Sequence, residues 1–327
     1  MAATSNAAIA HSLQQWSVQG LGDSCYNLNM QTDRPTATNQ PTETASSGPV
    51  GRTIASGNEW TLSEFVCHAG PNSRPFQERH DYVAIASVVD GSFTYRTDSG
   101  RATLYPGSFL LGNCGASFEC GHDHSTGDRC ICLHLSPEYF AEISASAAGS
   151  SCFRFPTAML PIVKHLSSAI VQLESMASGD LKLRVEEVVA LLAETVLSMV
   201  SVRSPATCAS STRDERRVGE VVRYIEEHVH EALDLDGMAT IAGVSKYHFL
   251  RIFRNAVGIS PYQFVLTFRM RRAALRLISS SDSVTSIGFE SGFGDLSTFN
   301  HHFRDLFGLS PSEYRTQENR PNMRVMR

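Results

Sequence analysis

The last third of the chain writes one pattern twice. HFLRIFRNAVGISPYQF (248–264) and TFNHHFRDLFGLSPSEY (298–314) align at a shift of 50 residues. Phe249, Phe253 and Arg254 lie over Phe299, Phe303 and Arg304, and Gly258, Ser260 and Pro261 lie over Gly308, Ser310 and Pro311. Upstream the shift is 49, with Ala239, Gly243 and Val244 over Gly288, Gly292 and Phe293, so the second copy carries one extra residue at its turn. A repeat of this kind requires two copies of one small structural unit.

The local chemistry says what the unit is. Ser260-Pro261-Tyr262-Gln263 and Ser310-Pro311-Ser312-Glu313 are helix starts: Ser caps, Pro fits the first helical position, and Gln or Glu completes a capping box. Gly258 and Gly308 suit the left-handed residue that ends the preceding helix. Phe249, Ile252 and Phe253, or Phe299 and Phe303, make one apolar stripe. Gly243 and Gly292 fit the turn between two short helices. Helix, tight turn and a second helix with a polar outer face is a helix-turn-helix. One long helix from Pro261 to about Ser279 joins the two units.

Charge agrees locally, although the whole chain is at −5. Residues 1–212 hold 12 Lys/Arg against 19 Asp/Glu; residues 213–327 hold 16 against 14. The stretch 246–281 carries Lys246, Arg251, Arg254, Arg269, Arg271, Arg272 and Arg276 and no acid. Such a block suits an anionic partner or a solvated helix face.

These motifs resemble the AraC/XylS family of bacterial transcription regulators over about Leu235–Arg315. One departure is Gly288, where that family usually has Ala; glycine there costs about 1 kcal/mol of helix stability. The resemblance implies a sequence-specific regulator that binds double-stranded DNA, with RNA polymerase as a further partner and activation or repression left open. It implies two recognition helices, Lys246–Val257 capped by Ser245 and Leu296–Phe307 capped by Asp295. The connecting helix, about 28 Å long, suits two helices in successive major grooves about 34 Å apart. Base-reading candidates are Lys246, Tyr247, Leu250, Arg251, Leu296, Ser297, Thr298, Asn300 and His301. Arg251 offers a fork to guanine, and Asn300 a bidentate pair to adenine. Phosphate candidates are Arg254, Arg269, Arg271, Arg272 and Arg304; Arg269 has a structural ion pair as its alternative.

The rest of the chain reads differently. Residues 1–58 are expected to be a flexible segment, because 32–58 is rich in Thr, Pro, Ser, Asn and Gly. WTLSEFVC, YVAIASVVDGSFTYRT, RATLYPGSFLLG and RCICLHL are short strands broken by turn residues, predicting an antiparallel barrel or jelly roll over 59–156. In the resembled family this position commonly holds a cupin-like effector domain. Residues 157–203 predict two linker helices broken at Ser178-Gly179-Asp180. The second is apolar on several sides, which suits cover by the barrel or a homodimer interface. The DNA-binding region is expected over 213–316, with a flexible tail at 317–327. The fold class is therefore α+β. No apolar run reaches membrane-span length, and no signal peptide is legible.

One cluster stands apart: CGHDHSTGDRCICLH (120–134). Cys120, His122 and His124 alternate, as do Cys130, Cys132 and His134, and a turn at 125–128 would place all six on one sheet face. Cys67 could join from a neighbouring strand. Three readings stand: structural thiols, a zinc-type metal or thiol sensor, or the lining of an organic-effector pocket. The apolar set Ile131, Leu133 and Leu135 conflicts with an inward-facing cluster. A cupin-type metalloenzyme with a DNA-binding tail is the rival function, but the chain has no His-x-His around His80. An enzyme is therefore not expected.

Overall fold

The computed structural model describes residues 48–122, 125–179, 185–202 and 211–318. Among these residues ten strands form two antiparallel sheets. They are β1 Val50–Ser56, β2 Trp60–Cys67, β3 Phe76–Arg79, β4 Val83–Gly91, β5 Phe93–Thr97, β6 Gly100–Leu104, β7 Phe109–Gly112, β8 Ser117–Gly121, β9 Asp128–Leu135 and β10 Met159–Leu160. One sheet has the order β1-β2-β9-β4-β7-β10 and the other β3-β8-β5-β6.

The larger sheet is buried on both faces. On its inner face Ala84, Ala86, Val88, Cys130 and Cys132 meet Phe93, Tyr95 and Leu104 of the smaller sheet. On its outer face Ile85, Leu111, Ile131, Leu133 and Leu135 pack under helices. Hence β4 reads as a nearly unbroken apolar run rather than an alternation. The same fact resolves the parity conflict in β9, where both the Ile-Leu-Leu set and the Cys-Cys set face a core.

Those covering helices are α1 Pro137–Ala148, α2 Ser167–Ala177 and α3 Val185–Val202. In α3, Val188, Val189, Leu192, Ala193, Val196, Leu197 and Val200 all enter the core against the sheet. Its outer side carries Glu186, Glu187, Glu194 and one exposed leucine, Leu191. Intramolecular cover therefore accounts for most of the apolar surface that could have suggested a dimer. Two elements depart from expectation. β1 occupies residues read as flexible loop; it is an edge strand held only to β2 and largely exposed, so it needs little apolar content. And α1 follows β9 directly, capped by Ser136, with Pro at the helix start and Gly149 at φ 73° at its end.

The C-terminal part is all helix: α4 Thr212–Glu227, α5 Leu235–Ile241, α6 Lys246–Val257, α7 Pro261–Ser279, α8 Val284–Glu290, α9 Leu296–Phe307 and α10 Pro311–Glu318. It has two small cores, one per repeat copy. Phe249, Ile252 and Phe253 pack with α4, and Phe299 and Phe303 pack with Ile287 and Tyr314. The N-terminal region enters both: Tyr105 lies in the first core and Val171 of α2 in the second. The two halves are thus docked along a continuous contact.

Candidate functional site

The repeat folds as two helix-turn-helix units. In the first, α5 ends at Ala242, Gly243 turns at φ 62°, and Ser245 caps α6 through the His248 amide. In the second, Gly292 turns at φ 84° and Asp295 caps α9 through the Thr298 amide at 2.8 Å. Gly258 and Gly308 close α6 and α9 in the left-handed region at φ 90° and 77°. Both capping boxes form: the Ser260 amide donates to Gln263, and the Ser310 amide to Glu313 at 2.8 Å, while each serine accepts in return.

This arrangement leaves one face of each second helix outward. On α6, Lys246, Tyr247, Leu250, Arg251 and Arg254 are exposed, Tyr247 to 81%. On α9, Ser297, Thr298, His301 and Arg304 are exposed, and Leu296 and Asn300 are half-buried. An exposed tyrosine and leucine beside arginines, on a helix with its phenylalanines buried, form a surface suited to the edges and methyl groups of bases. Lys246 is tethered to Asp236 of α5 at 2.6 Å.

The α7 arginines divide. Arg272 is exposed, with its guanidinium 6.0 Å from the Phe268 ring. Arg271 is only 5% exposed and points the other way, against Gly107 of the sheet region and toward Glu174, Asp90 and Glu226. A buried guanidinium cannot reach a DNA phosphate, so its expected phosphate role is corrected. Burial holds its pKa below the usual arginine range despite those acids. Arg269 is also corrected. Its Nε donates to Val229 O at 2.8 Å, one terminal nitrogen to Gly292 O at 3.0 Å and the other to Glu231 O at 2.5 Å. With those nitrogens spent on carbonyls it forms no ion pair in the structure; it clamps the loop between α4 and α5, just before the first unit, to the turn of the second.

Across the docking contact, Arg101 of β6 makes a two-pronged pair with buried Glu215 of α4, at 3.0 and 2.8 Å. The Gly91 amide at the end of β4 donates to Glu226 of α4 at 2.9 Å. Arg129 of β9 binds Asp90 at 2.9 Å, Glu64 at 3.0 Å and Glu174 at 2.6 Å. Arg129, Glu174 and Arg271 help wall a cavity of about 400 Å³ between the sheet and α7. The repeat motifs carried no signal for Gly91 or Glu226, because their pairing joins residues 135 apart.

The cysteine–histidine cluster does not form the expected hairpin. β8 pairs with β3 and β5, while β9 pairs with β2 and β4, so the two arms lie in opposite sheets. Loop chemistry overrode the pairing: Gly127, at φ 120°, carries the chain from one sheet to the other against the Cys67 carbonyl. The members separate into two groups. Near the start of β9, Cys67 Sγ lies 4.0 Å from His122 Nδ1, His122 Nε2 lies 2.6 Å from Asp128 Oδ1, and the Cys130 thiol donates to Asp128 Oδ2 at 3.1 Å. Cys120 lies on adjacent β8, opposite Tyr95. Further along, Cys132 Sγ lies 3.4 Å from His134 Nε2. His124 falls outside the described residues. Burial raises the thiol pKa of Cys67, Cys120 and Cys130, and lifts that of Cys132 to about 12. Asp128 was the member that sequence reading missed, since a lone aspartate in a turn resembles a turn former.

His80, where a cupin metal ligand was sought, is a buried histidine stacked 4.2 Å from Phe118, with Nε2 2.7 Å from the Tyr95 hydroxyl. Burial lowers its pKa to about 4, so it is neutral.

The matches to known proteins concentrate on the helical part. Residues 238–317 match the model of a helix-turn-helix domain. Over 220 residues the chain is 26% identical to an uncharacterized HTH-type transcriptional regulator, YbfI, of Bacillus subtilis, covering 67% of this chain and 78% of that one. Over 255 residues it is 28% identical to the transcriptional activator NphR of Rhodococcus, covering 72% and 70%. Among solved structures it resembles an AraC-type DNA-binding regulator from Chromobacterium violaceum, at 29% identity and a TM-score of 0.32, covering 34% of this chain and all of that one.

Proposed function

We propose that the chain is an AraC-type transcription regulator, supported by its helix-turn-helix domain match and its likeness to NphR, and that it reads two successive major grooves with α6 and α9 and is gated from its N-terminal sheet domain. One observation carries this reading. Two capped helices present free polar faces, and a single rigid helix, about 28 Å long, and the Arg269 clamp fix their separation. Arg254, Arg272 and Arg304 then position the phosphates, while Arg251 and Asn300 read bases. Gating follows from the docking contact. An effector bound by the sheet domain biases the molecule between arrangements that differ in how that contact holds α4 and α7. RNA polymerase is the second macromolecular partner in this reading. Among the described residues of α3, Leu191 is the exposed large apolar side chain that a homodimer would use.

The test is a footprint on the native promoter, followed by binding to graded operator variants. Arg251→Ala is expected to flatten the preference at one base position, by about 1–3 kcal/mol of discrimination. An equal loss on every sequence would remove the base-reading role.

A further inference from the structure

We propose that Cys67, His122 and Asp128 form a binding site for a zinc-class divalent cation, wired by one rung of the sheet to the DNA-binding domain. One donor atom from each of the three residues lies within 4.8 Å of the others. A tetrahedral zinc with bonds of about 2.0–2.3 Å spaces its ligand atoms about 3.4 Å apart, so closing the set is a rotamer-scale movement. Thiolate, imidazole and carboxylate are all zinc ligands, and three of them leave a fourth position for water or a small ligand.

The surroundings fit a metal better than the alternatives. Cys67 and His122 are buried, at 8% and 6% exposure. Asp128 Oδ1 lies 2.6 Å from His122 Nε2, and it exchanges that hydrogen bond for the cation when the set closes. A cation bound there displaces the proton from Cys67 to solvent and holds the thiolate. The neighbouring thiol of Cys130 already satisfies the second oxygen of Asp128.

The site's position gives it a route outward. Cys67 of β2, Asp128 of β9 and Gly91 of β4 lie in register, side by side across three strands. Gly91 packs on Gly127 so closely that a side chain at either position would meet backbone. Its amide is the donor to Glu226 of α4. A cation that draws Cys67 and Asp128 together therefore pulls on the strand end that holds the DNA-binding domain. This route rests on the DNA-binding reading; the site itself does not.

The experiment titrates full-length protein with Co²⁺ as a spectroscopic stand-in and then displaces it with Zn²⁺. One equivalent is expected, with a thiolate charge-transfer band and the d–d bands of a tetrahedral ion. Cys67→Ser is expected to lose the charge-transfer band, and Asp128→Asn, which removes a charged ligand, to bind more weakly by about tenfold or more. Each variant's far-UV spectrum and thermal transition establish that it is folded. If either fails, alkylation of wild-type Cys67 with and without Zn²⁺ replaces it, with protection expected. No cobalt spectrum, a spectrum unchanged in Cys67→Ser, or unprotected alkylation overturns the site. Amide hydrogen exchange at Gly91 reads the route without DNA. An occupied site that leaves Gly91 exchange unchanged overturns the link to α4.

Discussion

Arginines that look alike in the sequence do unlike things here. Arg251, Arg254, Arg269, Arg271 and Arg272 sit within one acid-free stretch, yet Arg269 satisfies three carbonyls and Arg271 is buried beneath the sheet. What separates Arg269, Arg271 and Arg272 is the phase of α7 against two neighbours, which charge counting does not contain. Arg269→Met leaves those carbonyls without their donor and is expected to lower stability by on the order of 2 kcal/mol, measured by urea unfolding. Its DNA affinity should fall while the slope of affinity against salt stays that of the wild type, because the slope counts phosphate contacts. A slope reduced by about one unit would restore the phosphate role. Asp128 is the converse case: read as a turn residue, it meets His122 only because two strands from different sheets end together.

Helix starts and stops were the most legible elements. The recognition helices, their caps and α7 fall at the residues that Ser, Asp, Pro and Gly predicted, because capping is settled within four residues of chain. The same signal stands at Ser136-Pro137 and begins α1, which the strand pattern around it obscured. β1, β3 and β8 were harder: β1 is an exposed edge strand, and β3 and β8 are short strands that pair across about forty residues of chain. Gly288 of α8 shows packing overruling propensity. A methyl group there would lie 3.1 Å from Leu296 and Phe299 side chains. Gly288→Ala is therefore expected to recover well under the roughly 1 kcal/mol that helix propensity alone promises, by urea unfolding; a full gain would mean that α9 yields without cost.

Across the whole molecule, the docking of sheet and helices is the feature with a pH signature. Burial lifts the Glu226 carboxyl from 4.5 to about 7; the Gly91 amide and Arg271 oppose the lift and Asp90 adds to it. A carboxyl that binds its proton more tightly when folded stabilises the fold fully below pH 4.5, and that contribution is lost as pH rises through about 7. Thermal transitions should therefore fall more between pH 5 and pH 8 in wild type than in Glu226→Gln; parallel profiles would exclude Glu226 as the source. The sequence by itself determined the two helix-turn-helix units, their boundaries, the strand-rich character of the N-terminal region and the acid-free stretch, since these follow from local periodicity, capping and composition. Only the tertiary structure decided which arginines face solvent, that one sheet is buried on both faces, which of the clustered thiols and histidines meet, and that Gly91 reaches Glu226. Those facts depend on how whole layers pack, whether the residues that meet are 135 positions apart, as Gly91 and Glu226 are, or six, as His122 and Asp128 are, and no pattern along the chain sets that geometry.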